Sequence, residues 1–101
     1  MKYLLIILVI VFVNSSGYSQ ICQGDVVLTT QSEVDAFDCE TVMGTLLVTG
    51  PDITSLEPLS KLKYVGEHFI LHGLPSLNSL VGLENVIDVT CSFEIKNCDG
   101  L

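Results

Sequence analysis

The sequence predicts a mainly β fold in which short parallel strands stack as a solenoid at a period of 23 or 24 residues. Every third residue is apolar from Ile53 to Val65 (the first array), and the same spacing returns from Leu77 to Val89 (the second array). A strand-like run such as His68–His72 follows each array. One unit repeated at a fixed interval indicates stacked repeats, each of which buries its apolar side against its neighbours.

The spacing of the first array does not suit an α-helix. Residues three apart drift around a helix of 3.6 residues per turn instead of forming one apolar stripe. Pro58 lies in the middle of this array, and proline in a helix interior costs about 3 kcal/mol. A step of three fits a 3₁₀ turn or an extended bend, in which every third side chain points the same way. We therefore expect each array to close one coil of the solenoid and to point its leucines inward.

The strand-like runs align at the same period as the arrays. Their inward positions form two aligned sets, namely Leu46, Phe69 and Phe93, and Val48, Leu71 and Ile95. Residues 44–101 are accordingly assigned to the solenoid repeats, with two full units and the start of a third. Because the sequence stops directly after a strand, we expect an incomplete solenoid with a truncated C-terminus, as in a fragment of a longer protein.

The first 19 residues have the layout of a secretory signal peptide. Lys2 precedes an apolar run from Tyr3 to Val13, and small polar residues follow. A membrane-spanning helix needs about 20 apolar residues, so this run is too short. Cleavage is expected after Ser19 or Gln20, and Ile21 before Cys22 disfavours a lipid anchor. The mature chain is therefore expected to be secreted or displayed at the cell surface.

Residues 20–43 are predicted to form an N-terminal cap, because a solenoid needs an atypical unit over its first coil. The run from Asp25 to Thr30 is typical of a strand. Thr30 and Glu33 have the spacing of a capping box at the start of a short helix. Val34 and Phe37 would share one side of that helix.

Four cysteines follow the predicted signal peptide, and export to an oxidising compartment permits disulfides. Cys22 and Cys39 bracket the cap, and a bridge between them would stabilise the fold by about 3 kcal/mol. The strand predicted between Cys91 and Cys98 would hold them about 20 Å apart, which is too far for a bridge. The sequence leaves two interpretations open for this pair, buried thiols or a bridge formed by a turn of the chain.

Composition argues against several functions. After residue 19 the chain has three lysines, no arginine and twelve acidic residues, which disfavours nucleic acid and anionic lipid as partners. On a strand, His68 and His72 would lie about 13 Å apart, too far for one metal ion. No serine, cysteine or carboxylate has the neighbours that catalysis requires. We therefore expect no enzyme, no cofactor and no metal site.

The segment from Cys39 to Leu71 resembles the receptor L domain family, a leucine-rich-repeat-like group of β-helices in secreted surface proteins of Bacteroidetes-type bacteria. The positions that match its phrase are Cys39, Val42, Gly44, Leu46, Val48, Ile53, Leu56, Pro58, Leu59, Leu62, Val65 and Gly66. The resemblance extends over residues 24–101 and implies a right-handed, single-stranded, extracellular solenoid used for binding or adhesion. The full domain has more coils, and Glu67 with His68 replaces its usual small-residue turn.

Alternation along the strands predicts an outward row that could recognise a partner. It comprises Thr45, Leu47, Thr49, His68, Ile70, His72, Ser92, Glu94 and Lys96. The expected function is a binding or adhesion module for an extracellular protein or glycan. The alternative is a structural spacer that projects further domains of a longer surface protein and binds no ligand of its own.

Overall fold

The computed structural model describes residues 20–101 as two four-stranded parallel sheets with one short α-helix. The first sheet contains β1 (Ile21–Cys22), β3 (Thr41–Val42), β5 (Tyr64–Val65) and β7 (Asp88–Val89), in that order. The second sheet contains β2 (Val26–Leu28), β4 (Leu46–Val48), β6 (His68–His72) and β8 (Ser92–Lys96), in that order. The helices are α1 (Gln31–Asp35) and a 3₁₀ helix (Glu57–Leu59). The predicted mainly β, parallel fold is confirmed, whereas the predicted signal peptide lies outside the described residues.

The register of the second sheet follows the sequence repeat. Leu46 pairs with Phe69, and Phe69 pairs with Phe93. Residues that occupy the same position of successive repeats are therefore neighbours in the sheet. Val48 and Leu71 pair in the same way. A slip of one residue would move every inward side chain to the outer face, so the apolar alternation itself specifies this register.

The first array is buried along its whole length. Ile53, Leu56, Leu59 and Leu62 are all 0% exposed, and Val65 is 1% exposed. Complete burial of one leucine contributes about 1.5–3 kcal/mol, so this array supplies much of the core. The predicted 3₁₀ turn is confirmed at Glu57–Leu59, and its first turn accommodates Pro58, which has no N–H to donate there.

The second array follows a similar path without a helix. Turn hydrogen bonds join Leu83 N to Leu80 O and Val86 N to Leu83 O, each at 3.2 Å. A methyl group at Gly82 would overlap the Leu56 carbonyl oxygen, so glycine allows the two arrays to approach closely there. Gly82 also has a φ of +116°, a conformation that disfavours any other residue. Gly82 in the second array thus occupies the repeat position of Pro58, the second residue of the 3₁₀ helix in the first array.

The N-terminal segment contains the predicted short helix with its predicted N-cap. Thr30 Oγ1 accepts a hydrogen bond from Glu33 N at 3.2 Å. The reciprocal half of the capping box is shifted by one residue, because Glu33 accepts from Thr29 N at 2.6 Å and from Thr29 Oγ1 at 3.0 Å. Val34 and Phe37 are both buried, as their positions on the predicted helix indicated.

The predicted Cys22–Cys39 disulfide is confirmed, with the two Cα atoms 5.8 Å apart. Cys91 and Cys98 are free thiols, so the bridge between them does not form. Burial is incomplete as well, because Cys91 is exposed and Cys98 is half-buried. Cys98 Sγ lies 3.3 Å from its acceptor, the Lys96 carbonyl oxygen. Within residues 20–101, no helix has the length and apolar character needed to cross a membrane.

Candidate functional site

The outer surface of the second sheet is the first candidate site. We call it the strand face and define it as Val27, Thr45, Leu47, Thr49, His68, Ile70, His72, Ser92, Glu94 and Lys96. The pairing of Leu47 with Ile70 and of Ile70 with Glu94 brings the predicted outward residues together in adjacent strands. Their inward neighbours Leu46 and Leu71 are fully buried, so the alternation predicted for this sheet assigns the two faces correctly.

An apolar column runs across the middle of the strand face. Val27 pairs with Leu47, and Leu47 pairs with Ile70. Val27 is 54% exposed, while Leu47 and Ile70 are half-buried. Sequence reasoning included Leu47 and Ile70 in the outward row but missed Val27. The signal was present, because Leu28 aligns with Val48 as an inward residue and Val27 must then point outward.

A chain of hydrogen bonds forms the polar margin of this column on β6 and β8. His68 Nδ1 lies 2.8 Å from Ser92 Oγ, and Ser92 Oγ donates to Glu94 Oε2 at 3.0 Å. The hydroxyl proton of Ser92 is directed at Glu94, so the Ser92 oxygen can accept from His68 in the tautomer that carries its hydrogen on Nδ1. Lys96 Nζ completes the chain with an ion pair to Glu94 at 3.3 Å.

These contacts change the acidity of Glu94. The hydrogen bond from Ser92 lowers the pKa of this carboxyl group, and the hydrogen bond and charge of Lys96 lower it further. Glu94 is therefore held as an acceptor with fixed partners on an exposed sheet surface. The margin presents ordered polar groups to solvent beside the apolar column.

The remaining predicted residues lie at the ends of the strands. Thr45 Oγ1 donates to Glu67 Oε1 at 3.2 Å, just before β4 begins. His72 Nε2 lies 3.2 Å from Asn97 Nδ2, just after β8 ends. Thr49 follows β4, and its backbone N–H donates to Leu28 O. Among residues 20–101, no group of three or more His, Cys, Asp or Glu side chains is placed to hold a metal ion.

The second candidate site is an apolar cavity of about 610 Å³ at the β7 and β8 edges of the sheets. We call it the end cavity. Its walls come from β6, the second array and β8, and comprise Phe69, Ser79, Leu80, Val81, Leu83, Glu84, Val86, Val89 and Phe93. The rings of Phe69 and Phe93 lie 5.1 Å apart between centroids and are tilted by 49°. The sequence predicted an incomplete solenoid at this end but did not predict a cavity.

Exposure distinguishes the inward residues of β8, of which Phe93 lines the end cavity, from the core. Phe93 is 46% exposed and Ile95 is 43% exposed, although their neighbours Phe69 and Leu71 are buried. The difference follows from position, because β8 lies at the edge of its sheet. The chain thus offers two apolar surfaces, the column on the strand face and the wall of the end cavity.

No family model matches this chain, and comparisons with curated proteins and with solved structures give no match either. The functional interpretation consequently depends on the two surfaces themselves.

Proposed function

We propose that this chain is an extracellular binding or adhesion module that recognises a protein or glycan through the strand face. The observation that carries the proposal is the apolar column of Val27, Leu47 and Ile70 on the outer side of a parallel sheet. Parallel sheets are usually covered on both faces. A sheet face that exposes apolar residues in adjacent strands is therefore a candidate binding surface for a partner.

The surroundings of the column suit an interaction surface. Protein interfaces combine an apolar centre with a polar rim whose hydrogen-bonding groups are satisfied. Here the rim is the chain from His68 through Ser92 and Glu94 to Lys96, whose members already hold one another in place. A partner that meets such a rim loses less entropy of side-chain ordering than one that meets freely rotating side chains.

The proposal includes a right-handed solenoid of the receptor L domain type. Support comes from the pairing of Leu46 with Phe69 and of Phe69 with Phe93, which carries the sequence repeat into the sheet. Connections between parallel strands of one sheet are right-handed in about 98% of cases. Export is supported by the Cys22–Cys39 disulfide, since such bonds persist in oxidising compartments.

The test begins with an immobilised chain of residues 20–101 screened against extracellular proteins and a glycan array. A ligand found there is then measured against the double variant Leu47→Asp/Ile70→Asp. Two charges in the apolar column should weaken binding by roughly a hundredfold, because each desolvated charge without a partner costs at least about 1–3 kcal/mol.

A control is Ile87→Asp, which adds a charge at a 66% exposed position outside the strand face. It should leave the affinity unchanged, and circular dichroism should show that both variants are folded. Equal affinity of the double variant and the unmodified chain would contradict recognition through the strand face.

A structural spacer is the second candidate function, and contacts between successive repeats favour it. Asn85 Nδ2 donates to Ser60 O at 2.7 Å, and Ser76 Oγ donates to Pro51 O at 2.8 Å. Such bonds stiffen a stack of repeats. If the reading frame beyond Leu101 encodes repeats with nearly identical outward residues, the spacer is favoured, whereas variable outward residues favour binding.

A further inference from the structure

A single glutamine side chain joins α1 to the start of the first array. Gln31 Oε1 accepts hydrogen bonds from Thr54 N at 2.8 Å and from Ser55 N at 3.1 Å. Gln31 Nε2 donates to Ser55 O at 3.1 Å. One planar carboxamide group thus satisfies three backbone groups of two successive residues.

The backbone of the second array repeats this arrangement. Ser55 Oγ accepts a hydrogen bond from Glu57 N at 3.2 Å, and Ser79 Oγ, one repeat later, accepts from Val81 N at 3.1 Å. The next turn hydrogen bond also matches in the two arrays, with lengths of 2.9 Å and 3.2 Å. Asn78 N, Ser79 N and Ser79 O therefore correspond to the three groups that bind the glutamine.

These three groups have no partner in the part of the chain that the structure describes. Neither Asn78 N nor Ser79 N donates a hydrogen bond there, and Ser79 O accepts none. A cavity of about 160 Å³ lies beside them and is lined by Thr54–Glu57 of the first array and by Asn78, Ser79 and Val81 of the second. We call it the inter-array cleft, because its wall combines residues of the two arrays.

We infer that the inter-array cleft binds the carboxamide group of an asparagine or glutamine side chain of a partner protein. The carboxamide oxygen accepts from Asn78 N and Ser79 N, and its nitrogen donates to Ser79 O, as Gln31 does one repeat earlier. The volume of the cleft is about five times the roughly 30 Å³ that one water molecule occupies. It therefore has room for the group and the carbon atom next to it.

Geometry distinguishes a primary carboxamide from other ligands. One of its N–H groups lies on the same side as its C=O, so both can meet the backbone of Ser79 together. A secondary amide, such as the acetamido group of an amino sugar, is trans and directs its N–H and C=O to opposite sides. A carboxylate has no hydrogen to donate, and the exposed carboxylate of Glu57 in the cleft wall repels it. A protein side chain is therefore favoured over a glycan.

The carboxamide is one anchor of a larger partner. Three hydrogen bonds alone do not offset the freedom that a small molecule loses on binding, so further contacts must come from the same partner. The cleft shares no residue with the strand face. It therefore goes beyond the proposed function, and either surface can fail a test without the other.

The experiment titrates the full chain, with residues 1–19 in place and labelled with ¹⁵N, with three peptides that differ in one side chain. The probe is acetyl-Gly-Gln-Gly methylamide. The two control peptides carry glutamate or side-chain N-methylglutamine instead of glutamine. We expect saturable shifts of the Asn78 and Ser79 amide resonances, with a dissociation constant at least roughly fivefold lower for the probe. The N-methyl group replaces the hydrogen that meets Ser79 O, so that peptide loses one hydrogen bond.

Variants of the chain locate the contact. Asn78→Pro removes one donor and should raise the dissociation constant roughly fivefold. Thr54→Trp fills the cleft from its exposed wall and should abolish the shift at Ser79. Ser60→Trp adds the same ring at an exposed position outside the cleft and should leave the titration unchanged. Leu47→Asp/Ile70→Asp should also leave it unchanged, which separates this site from the strand face. Circular dichroism should show that each variant is folded.

Gln31→Ala provides a second measurement, because it vacates the groups that Gln31 now binds. In this variant the probe should shift the amide resonances of Thr54 and Ser55 as well. Equal affinity for the three peptides or no saturable shift at Asn78 and Ser79 would overturn the inference. Tighter binding of an N-acetylglucosamine trisaccharide than of the probe in the cleft would overturn it as well, in favour of a glycan.

Discussion

The two arrays repeat one sequence pattern but differ in burial. Leu56 in the first array is fully buried, whereas Leu80 at the same position of the second array is 37% exposed. The first array contains a 3₁₀ helix, and the second contains only turns. The first array packs against α1 on one side and against the second array on the other, while the second has one neighbour among the described residues. The spacing of the leucines thus determines the path of the backbone. The neighbouring segment determines how deeply each leucine is buried, and so how much it contributes to the stability of the fold.

The largest expected effect comes from shortening one leucine in each array. Leu59 is fully buried and Leu83 is half-buried, and they occupy the same position of the repeat. Leu59→Ala should lower the free energy of unfolding by about 2–5 kcal/mol. Leu83→Ala should lower it by roughly 1 kcal/mol, because less apolar area returns to water.

Urea denaturation followed by circular dichroism measures both changes. The two variants share residue type, substitution and repeat position, so each is the control for the other. Equal losses of stability would show that the edge repeat is as well packed as the inner one, and would contradict the comparison.

The N-terminal segment and the segment around β8 form a second contrast, because Cys22 and Cys39 form a disulfide whereas Cys91 and Cys98 are free thiols. Cys22 and Cys39 join β1 to the segment that follows α1. Replacing both by serine should lower the free energy of unfolding by about 3 kcal/mol, chiefly by enlarging the unfolded ensemble.

The matched control for this variant is Cys91→Ser/Cys98→Ser, which replaces the same number of cysteines near β8. We expect a change of less than about 1 kcal/mol, since neither residue forms a bridge. If the two double variants unfold at the same midpoint concentration of urea, the disulfide does not stabilise the N-terminal segment.

Repetition explains why the second sheet was predictable. The match of Leu46 with Phe69 and Phe93 was visible in the sequence, and alternation then assigned each residue of those strands to a face. A repeated sequence allows the pairing of distant residues to be predicted, because each residue pairs with the residue at the same position of the next repeat.

The first sheet was not predictable for the opposite reason. Its strands β3 and β5 have two residues each, and two residues carry no periodicity. The end cavity was not predicted, because its volume depends on the distance between the second array and β8. The spacing of apolar residues in the sequence does not determine that distance. Likewise, the shift of the Glu33 contact from Thr30 to Thr29 depends on a side-chain rotamer.

The smallest expected effect concerns how the stability of the N-terminal segment changes at acidic pH. The backbone hydrogen bond from Thr29 lowers the pKa of Glu33 below its ordinary value of 4.5, and the Thr29 hydroxyl group lowers it further. A carboxyl group with a lowered pKa in the folded state adds stability above the unfolded pKa. That stability disappears as the pH falls through the lowered value.

The variant Glu33→Gln keeps an acceptor for Thr29 but has no charge to titrate. The melting temperature of the parent chain should exceed that of Glu33→Gln by a constant margin well above pH 4.5, and the margin should shrink as the pH falls through and below that value. Glu57→Gln, which removes an exposed carboxylate from the 3₁₀ helix, is the control. A Glu33→Gln margin that stays constant down to the acid transition would show that Thr29 does not preferentially bind the ionised carboxylate. Stability of the N-terminal segment at acidic pH would then depend on the disulfide and on the packing of Val34, neither of which titrates with Glu33.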